Sequence, residues 1–412
     1  MTTSSKKTQG STTRSRVTVC IIVAILAILI AWPQQELDID YFSQLARSHA
    51  QSSSPSSPLD GTVIAITGAT SGIGLGLTEG LHGMGATIIA IGRSSRKLSQ
   101  LQLDLDGADN KKKKKQRIIP IVAELSDLNS VANAADEIQS KFKRIDFLVN
   151  NAGIHYGLAD YFGAARSTAQ GYDLTFGVNY LSHFLLTEKL LPLLNKSKTK
   201  HPKVIQMTSS FHWMVDGSDL VSSNTTEQPY ASQNASYSFF HSERAYPNSK
   251  LAQILHMRSL SRKLKDDNSK VKVVSVCPGW VGTSIGGELN QIILESLAFP
   301  YNGKGIASTL EAMFHPNAGV DDNNNEKKND YYINSGACTL MPMISTKSQL
   351  LRKLLLNSGI QDLRSWVGAV GMLYLQKFFP GVHSVDSVPQ SYDTSIQASL
   401  YDWSMEAVSD WL

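Results

Sequence analysis

The sequence predicts an α/β domain built on a doubly wound parallel sheet. Three observations lead to this fold class. Short β-branched apolar runs alternate with stretches of helical spacing, a glycine-rich turn follows the first run, and 42% apolar residues suffice for a substantial core. Strands that alternate with helices indicate right-handed βαβ crossovers, which bury a parallel sheet on both faces. We therefore expect one domain from about residue 59 to the end of the chain.

The predicted elements follow one another in order through this domain. Six apolar runs predict strands at 62–66, 86–91, 117–123, 145–149, 203–208 and 271–276. Apolar residues at three- and four-residue spacing predict helices, among them 127–142 and 172–194. Two polar tracts, 110–117 and 321–330, are interpreted as solvated loops, because a short lysine run is more often a loop than a nucleic-acid contact.

Composition excludes several classes of function. The net charge of +4 over 412 residues is too small for a typical nucleic-acid binder, so no nucleic acid is expected as a partner. The three cysteines are scattered and form no C-x-x-C pair, which argues against a disulfide framework. The histidines and cysteines show no zinc-ligand spacing, and we predict no metal site.

The N-terminal region carries an apolar segment that is predicted to be a transmembrane anchor. Residues 17–32 contain no charge and follow a basic tail at 1–16. As a helix the segment spans about 24 Å, slightly short of a hydrocarbon core. A cleaved signal peptide is the alternative, but no clear A-x-A site follows. The basic tail and the acidic residues after the segment place the tail in the cytosol and the domain in the lumen. We expect a single-pass membrane protein, most simply of the endoplasmic reticulum.

The chain is thereby divided into a tail (1–16), an anchor (17–32), a flexible linker (33–58) and the domain (59–412). Three N-x-S/T sequons permit glycosylation in the lumen; they begin at Asn195, Asn224 and Asn234.

The glycine-rich turn predicts a dinucleotide site. The sequence TGATSGIG (67–74) follows the first strand directly and opens a helix. Its glycines permit a tight turn and the close approach of backbone N–H groups to a pyrophosphate, which then sits at the positive end of the helix. Glycines in this spacing between a strand and a helix predict a Rossmann-type nucleotide-binding domain.

The end of the second strand predicts which dinucleotide is bound. An acidic residue there would bind the ribose 2′-hydroxyl of NAD, but this chain reads IAIGRSSRK. Arg93 would attract a 2′-phosphate, with Ser94, Arg96 and Lys97 nearby. The alternative is that these residues are ordinary surface charges at a helix start. We predict NADP(H) as the cofactor.

Tyr246 and Lys250, in YPNSK (246–250), lie one helical turn apart on the same face. Together with five further motifs, this sequence resembles the short-chain dehydrogenase/reductase family over about 59–335, and most of all its retinol- and hydroxysteroid-dehydrogenase-like members. The other motifs, in the order of the family, are TGATSGIG (67–74), NNAG (150–153), VNYLSHFLLT (178–187), MTSS (207–210) and CPGWVGT (277–283).

The resemblance implies a catalytic set. Tyr246 matches the acid/base, and Lys250 matches the cation that lowers its pKa and holds the nicotinamide ribose. Ser210 matches the hydroxyl that binds the substrate oxygen, chosen over Ser209 as the second serine of the pair. Asn179 matches the residue that holds a water in the proton relay.

The resemblance also implies the residues that line the cofactor. Asn150 and Gly153 match positions that order the backbone beside the cofactor. Glu124 stands where the family usually has an aspartate that touches adenine, so we expect this contact to be altered. The complete set of predicted cofactor residues is Gly68, Ser71, Gly72, Ile73, Gly74, Arg93, Glu124, Leu125, Asn151, Ala152, Gly153, Tyr246, Lys250, Pro278, Gly279, Val281 and Thr283.

Two inserts depart from the compact family pattern. The insert at about 211–245 is predicted to shape the substrate entrance. The insert at about 336–390 contains leucines at helical spacing and an apolar run at 366–379. This run is short for a membrane span, so it either packs onto the domain or lies in the membrane interface.

The sequence thus predicts a membrane-anchored, NADP(H)-dependent oxidoreductase that acts on a hydrophobic alcohol or carbonyl compound, such as a retinoid, a steroid or a lipid aldehyde. The alternatives are a reductase of a ring double bond within the same family and a non-catalytic NADP-binding scaffold protein. The family often dimerises through helices, which implies a homodimer.

Overall fold

The computed structural model describes residues 37–49, 57–107, 116–155, 167–217, 220, 239–279, 281–283, 285, 303–319, 330–334, 382–384 and 386–412. The predicted anchor at 17–32 and the whole of the apolar run at 366–379 lie outside the described residues, as does most of the insert at 211–245. Among the helices that the structure describes, none has the length and apolar character needed to cross a membrane.

In the part of the chain that the structure describes, an eight-stranded sheet forms the centre of the domain. Its strands are arranged in the order β3-β2-β1-β4-β5-β6-β7-β8. The first seven strands of the chain are parallel and β8 runs antiparallel to β7. The strands are β1 Val63–Thr67, β2 Thr87–Gly92, β3 Ile118–Val122, β4 Phe147–Asn150, β5 Lys203–Met207, β6 Lys272–Cys277, β7 Tyr331–Asn334 and β8 Val382–Ser384.

Helices cover both faces of the sheet. The described α-helices are α1 Ile39–His49, α2 Gly72–Gly83, α3 Ser95–Asp106, α4 Leu128–Lys141, α5 Leu174–Phe176, α6 Ser182–Asn195, α7 Phe239–Asp266, α8 Ala307–Phe314 and α9 Thr394–Ala407. Short 3₁₀ turns span Ser210–Met214, Lys304–Ile306, Pro389–Tyr392 and Ser409–Trp411. The closing helix α9 packs against α7, where the Ser259 hydroxyl donates to the carbonyl of Gln397 over 3.0 Å.

The strands form because their side chains are buried on both sides. Ala65 of β1 belongs to the core cluster on one face of the sheet, and Ile64 and Ile66 belong to the cluster on the other. A parallel sheet covered twice requires such continuous apolar runs. All six predicted strands lie within two residues of the observed bounds, and the predicted α/β fold with a parallel sheet is confirmed. The sequence did not predict β7 and β8.

The predicted helix over 172–194 is interrupted. Between α5 and α6 the chain forms a π-helical segment, Gly177–Leu181, in which the N–H of Ser182 bonds to the carbonyl of Gly177. Such segments widen one turn of a helix and occur often at functional sites. Asn179 lies in the middle of this segment and is fully buried.

The strand order reverses between β1 and β4, which defines the crevice where ligands bind in doubly wound folds. The glycine-rich turn follows β1 and the NNAG sequence follows β4, so both reach this crevice at the carboxyl ends of the strands.

Candidate active site

The glycine-rich turn between β1 and α2 adopts a conformation that excludes side chains. Gly68 and Gly72 have φ angles of +68° and +51°, in the left-handed region that glycine favours. A Cβ atom on Gly74 would lie 2.2 Å from the carbonyl oxygen of Gly68. Ser71, the N-cap of α2, makes no side-chain hydrogen bond to the first turn. The Ser71 side chain therefore leaves the N–H groups of the first turn uncapped. Uncapped N–H groups at a helix N-terminus can donate hydrogen bonds to an anion.

Arg93 directly follows β2 and is exposed. The next residue, Ser94, caps α3 by accepting a hydrogen bond from the N–H of Lys97 at 3.3 Å. Arg96 and Lys97 are exposed in the first turn of α3. The carboxyl end of β2 therefore presents three cationic side chains close to the crevice.

Glu124 and Leu125 follow β3. The Glu124 carboxylate accepts a hydrogen bond from the N–H of Ser126 at 3.2 Å, which folds this side chain onto its own loop. Leu125 is buried in the core, with 9% of its surface exposed. This loop is ordered by its own contacts.

Thr67, the last residue of β1, holds the NNAG sequence in place. Its hydroxyl oxygen accepts hydrogen bonds from the backbone N–H groups of Asn151 and Ala152, each at 2.9 Å. The side-chain amide of Asn151 returns a bond to the Thr67 carbonyl at 2.8 Å. Gly153 follows, and a Cβ atom at this position would lie 3.4 Å from Oδ1 of Asn179 and 3.6 Å from Nζ of Lys250. The loop after β4 thus runs directly beside the predicted catalytic residues.

The segment after β6 closes the opposite side of the crevice. Gly279 has a φ of +79° and follows Pro278. Val281 is buried, and Thr283 lies so close to the glycine-rich turn that a Cβ atom on Gly72 would be 3.0 Å from its methyl carbon. Of these predicted cofactor residues, Thr283 therefore meets the glycine-rich turn in space.

Tyr246 projects from α7, and its phenol makes a hydrogen bond with the side chain of Ser209. Burial raises the pKa of this phenol well above its ordinary value near 10, and the bond with Ser209 opposes the rise only in part. The aromatic rings of His155 and Phe211 pack against Tyr246, with ring centroids at 4.4 Å and 5.9 Å. The tyrosine therefore stands in an aromatic surrounding and is protonated at neutral pH.

The two adjacent serines, Ser209 and Ser210, occupy different positions beside Tyr246. Ser210 is buried and begins the 3₁₀ turn Ser210–Met214, whereas the hydroxyl that contacts Tyr246 belongs to Ser209, the N-cap of that turn. The turn starts directly after Ser209, and His212 fixes it there: its backbone N–H and its ring Nδ1 both meet the carbonyl of Ser209, at 3.1 Å and 2.6 Å. Ser209 therefore contacts the Tyr246 phenol, and the substrate-binding role of Ser210 stays a prediction.

Lys250 is buried, and its ammonium lies 5.4 Å from the centre of the Tyr246 ring. Nζ donates hydrogen bonds to the carbonyl of Met207 at 2.8 Å and to Oε1 of Gln253 at 3.1 Å. Burial lowers the pKa of this ammonium to about 7. Burial thus dominates both groups and moves their two pKa values apart. That Lys250, together with the charge of an oxidised nicotinamide, lowers the pKa of the phenol stays a prediction.

Asn179 is bound on all sides by protein. Its side chain accepts from the N–H of Ile154 at 2.8 Å and donates to the Ile154 carbonyl and to Ser249, each at 3.0 Å. Its own carbonyl oxygen receives the ring Nδ1 of His183 at 2.9 Å and the amide of Gln253 at 2.8 Å.

The structure therefore brings Asn179, Tyr246 and Lys250 together, with Ser209 beside them. Sequence reasoning missed Thr67, His183 and Gln253. A signal existed for two of these: His183 follows Asn179 by one helical turn, and Gln253 follows Lys250 by three residues.

Comparison with known proteins shows which families the chain is similar to. The family model for short chain dehydrogenases matches residues 62–214. Retinol dehydrogenase 14 from Mus musculus is 31% identical over 244 residues, which are 56% of this chain and 65% of that protein. Human polyprenol dehydrogenase is 27% identical over 231 residues, which are 55% of this chain and 63% of that protein. The match thus spans slightly less than two thirds of the length of these relatives.

One solved structure, an uncharacterised protein from Mycobacterium paratuberculosis, shares the fold with a TM-score of 0.53 and 21% identity, over 85% of this chain and 94% of that one. The family model and the sequence similarity support a short-chain dehydrogenase/reductase family for this chain, and among its relatives the chain is similar to retinol dehydrogenase 14.

Proposed function

We propose that the protein is an NADP(H)-dependent oxidoreductase that interconverts a hydrophobic alcohol and its carbonyl compound. The observation that carries this proposal is the contact between the Tyr246 phenol and the Ser209 hydroxyl, with the Lys250 ammonium 5.4 Å from the tyrosine ring. These three groups stand at the carboxyl ends of the strands, beside a glycine-rich turn shaped for a dinucleotide.

The chain fits a nicotinamide dinucleotide. The left-handed glycines and the first turn of α2 suit a pyrophosphate, because Gly74 has no room for a side chain and Ser71 does not cap the helix. Arg93, Arg96 and Lys97 favour a 2′-phosphate, since charge-assisted bonds from guanidinium to phosphate are strong. When bound, NADPH supplies the hydride. The residues of the chain bind the substrate oxygen and manage its proton.

Tyr246 is the proposed proton donor. Because burial raises the pKa of its phenol, Tyr246 carries its proton at neutral pH and can give it to a carbonyl oxygen as that oxygen gains negative charge. Ser209 donates a hydrogen bond to the same oxygen and thereby stabilises the developing charge. Lys250 supplies a positive charge beside the phenolate that remains after the transfer. This protonation state suits carbonyl reduction.

The proposed substrate is a hydrophobic carbonyl compound or its alcohol. His155 and Phe211 flank Tyr246 with ring surfaces, which favour an apolar substrate over a charged one. The similar proteins are named for retinol and polyprenol, both apolar alcohols. Both observations support the class of substrate, and neither selects one compound.

A substrate screen tests the function directly. The full-length chain in detergent micelles would be incubated with NADPH and, separately, with retinaldehyde, a steroid ketone and a long-chain fatty aldehyde. We expect at least one of them to give the alcohol together with stoichiometric NADP⁺, as measured by mass spectrometry. A product that keeps its carbonyl group and loses a double bond would identify a double-bond reductase. Tight NADPH binding without any product would identify a scaffold protein.

We further propose that residues 17–32 anchor the protein in the endoplasmic reticulum membrane with the domain in the lumen. The test is extraction of membranes with alkaline carbonate, which is expected to leave the protein in the pellet. Glycosidase treatment should then increase its gel mobility if Asn195, Asn224 or Asn234 is modified. Release into the supernatant would refute the anchor, and unchanged mobility would argue against the luminal orientation.

A further inference from the structure

We propose that Gln253 is a positioning residue that holds the Lys250 ammonium in the active site by bridging it to the carbonyl oxygen of Asn179. The inference rests on the proposed function, because it concerns how that active site is assembled. Gln253 lies on α7, three residues after Lys250, and only 1% of its surface is exposed.

The bridge has a defined direction. Nε2 of Gln253 donates to the carbonyl of Asn179 at 2.8 Å, and Oε1 accepts from Nζ of Lys250 at 3.1 Å. An ammonium can only donate and a carbonyl can only accept, so these partners fix the orientation of the amide. A flipped amide would face a donor with a donor and an acceptor with an acceptor. A buried side chain with both ends satisfied in one orientation is well suited to position its partners.

The far end of the bridge is itself held by a second buried group. The Asn179 carbonyl lies in the π-helical segment and also meets Nδ1 of His183 at 2.9 Å. Because this carbonyl only accepts, Nδ1 carries the hydrogen, and burial keeps the ring neutral by lowering its pKa to about 4. Nε2 of His183 therefore accepts from the Thr67 hydroxyl at 2.9 Å. The Thr67 oxygen in turn holds the loop after β4.

A continuous series of hydrogen bonds thus runs from the loop after β4, through Thr67, His183, Asn179 and Gln253, to Lys250. Two side-chain donors meet the Asn179 carbonyl, in accordance with the two lone pairs of a carbonyl oxygen. The sequence predicts that Asn179 holds a water of a proton relay. The amide of Gln253 provides a direct protein link from the Asn179 carbonyl to Lys250, and the water of the relay stays a prediction. An amide does not transfer protons readily, so Gln253 acts by position.

The ionisable groups around Lys250 make this role measurable. Tyr246 faces Lys250 from the same helix, Cys277 faces it from β6, and His183 faces it from α6. Both Tyr246 and His183 are neutral near pH 7 because of burial. A carboxylate introduced at residue 253 would keep the acceptor for Lys250, lose the donor to the Asn179 carbonyl and add a negative charge within hydrogen-bond distance of Lys250. An opposite charge at this range raises the pKa of an ammonium by about 1–3 units.

The experiment compares Gln253→Glu with Gln397→Glu. Gln397 is a matched control, since it is also buried, accepts a hydrogen bond from a cation, Arg262, and donates to a backbone carbonyl, that of Ser391. In the wild-type chain we expect kcat to fall as the pH rises through about 7 and Lys250 loses its proton. Gln253→Glu should move this midpoint upward by at least one pH unit, and Gln397→Glu should leave it unchanged. Equal midpoints in all three proteins would overturn the proposal.

A second measurement does not depend on turnover. The native pKa of Lys250 is lowered from 10.5 to about 7, so the unfolded chain binds more protons between these values. The free energy of unfolding therefore rises with pH across this window. Gln253→Glu should reduce the rise between pH 7 and pH 10, measured by urea unfolding, whereas Gln397→Glu should retain it. Lys203 contributes a similar rise to every variant and cancels in the comparison.

These readouts separate the two proposals. A wild-type chain without turnover on any carbonyl refutes the proposed function, while the unfolding measurement still decides whether Gln253 positions Lys250. If Gln253→Glu does not fold, Gln253→Asn replaces it. Its amide is one methylene shorter and cannot span both partners, so we expect kcat to fall about tenfold while NADPH binding stays within twofold. Unchanged kcat in Gln253→Asn would overturn the bridge.

Discussion

Two buried lysines, Lys203 and Lys250, show how similar ionisation can serve different purposes. Burial lowers the pKa of each ammonium from 10.5 to about 7, and each is almost inaccessible to solvent. Each also donates to backbone carbonyls, Lys250 to Met207 and Lys203 to Ala312 and His315. Their ionisation alone does not distinguish them.

Their surroundings do distinguish them. Lys203 donates to carbonyls at the C-terminal end of α8, at 3.0 Å and 2.8 Å, where a helix has unpaired carbonyls and its dipole favours a cation. Lys250 instead donates a hydrogen bond to Gln253, and its ammonium lies 5.4 Å from the centre of the Tyr246 ring. A lowered lysine pKa therefore indicates burial, and the neighbouring side chains decide whether the residue caps a helix or serves a reaction.

Replacing each lysine in turn by methionine should have very different effects on kcat, and this is the largest effect that we predict. We expect Lys250→Met to lower kcat by about 10³-fold, because the charge that stabilises the Tyr246 phenolate is lost, and Lys203→Met to keep kcat within threefold. Both variants are compared with the wild-type protein by carbonyl reduction at pH 6.5. At this pH both lysines of the wild-type protein are mostly protonated, since their pKa is about 7. Urea unfolding confirms that each variant is folded. A comparable loss of turnover in a folded Lys203→Met protein would contradict the distinction.

The two adjacent serines, Ser209 and Ser210, allow a second comparison of kcat within the active-site region. Ser209→Ala should lower kcat by about 10²-fold, since its hydroxyl contacts the Tyr246 phenol and is placed to bind the substrate oxygen. Ser210→Ala removes a hydroxyl from the start of a 3₁₀ turn and should change kcat by less than threefold. Steady-state kinetics of both variants tests this assignment. A larger loss in Ser210→Ala would restore the residue that the sequence predicted.

Arg93 is a cation in a third environment, because it is exposed to solvent. We expect its replacement to have a smaller effect, on the affinity for the cofactor. Arg93→Ala should weaken NADPH binding about tenfold and leave NADH binding within twofold, because only NADPH carries the 2′-phosphate. Fluorescence titration measures both affinities. Lys143→Ala is the control, since Lys143 is an exposed cation in the loop before β4, towards the amino end of that strand, whereas Arg93 follows the carboxyl end of β2. Equal loss of both cofactors in Arg93→Ala would contradict the preference for NADP(H).

Much of the fold was predictable because strands that are buried on both faces of a sheet have continuous apolar sequences. The six strands β1–β6 follow such runs, and the glycine-rich turn is fixed by local backbone geometry at Gly68 and Gly72. β7 and β8 were not predicted, since they have only four and three residues and depend on their neighbours.

The remaining parts of the site depend on contacts between distant residues. The π-helical segment around Asn179 is accompanied by bonds from His183 and Gln253 to its carbonyl, which helical periodicity does not reveal. The choice between Ser209 and Ser210 depends on where the 3₁₀ turn begins after β5. The motif predicts a pair of adjacent serines, and the backbone of the turn decides which hydroxyl faces Tyr246.

The central claim is that the Tyr246 phenol transfers the proton in a reaction that uses NADPH, and Tyr246→Phe tests it most directly. The variant keeps the aromatic ring against His155 and Phe211 and removes only the hydroxyl. With a carbonyl substrate from the screen, we predict that kcat falls by about 10³-fold or more while NADPH, titrated by fluorescence, binds within twofold of the wild-type affinity. Turnover at the wild-type rate in this variant would contradict the account.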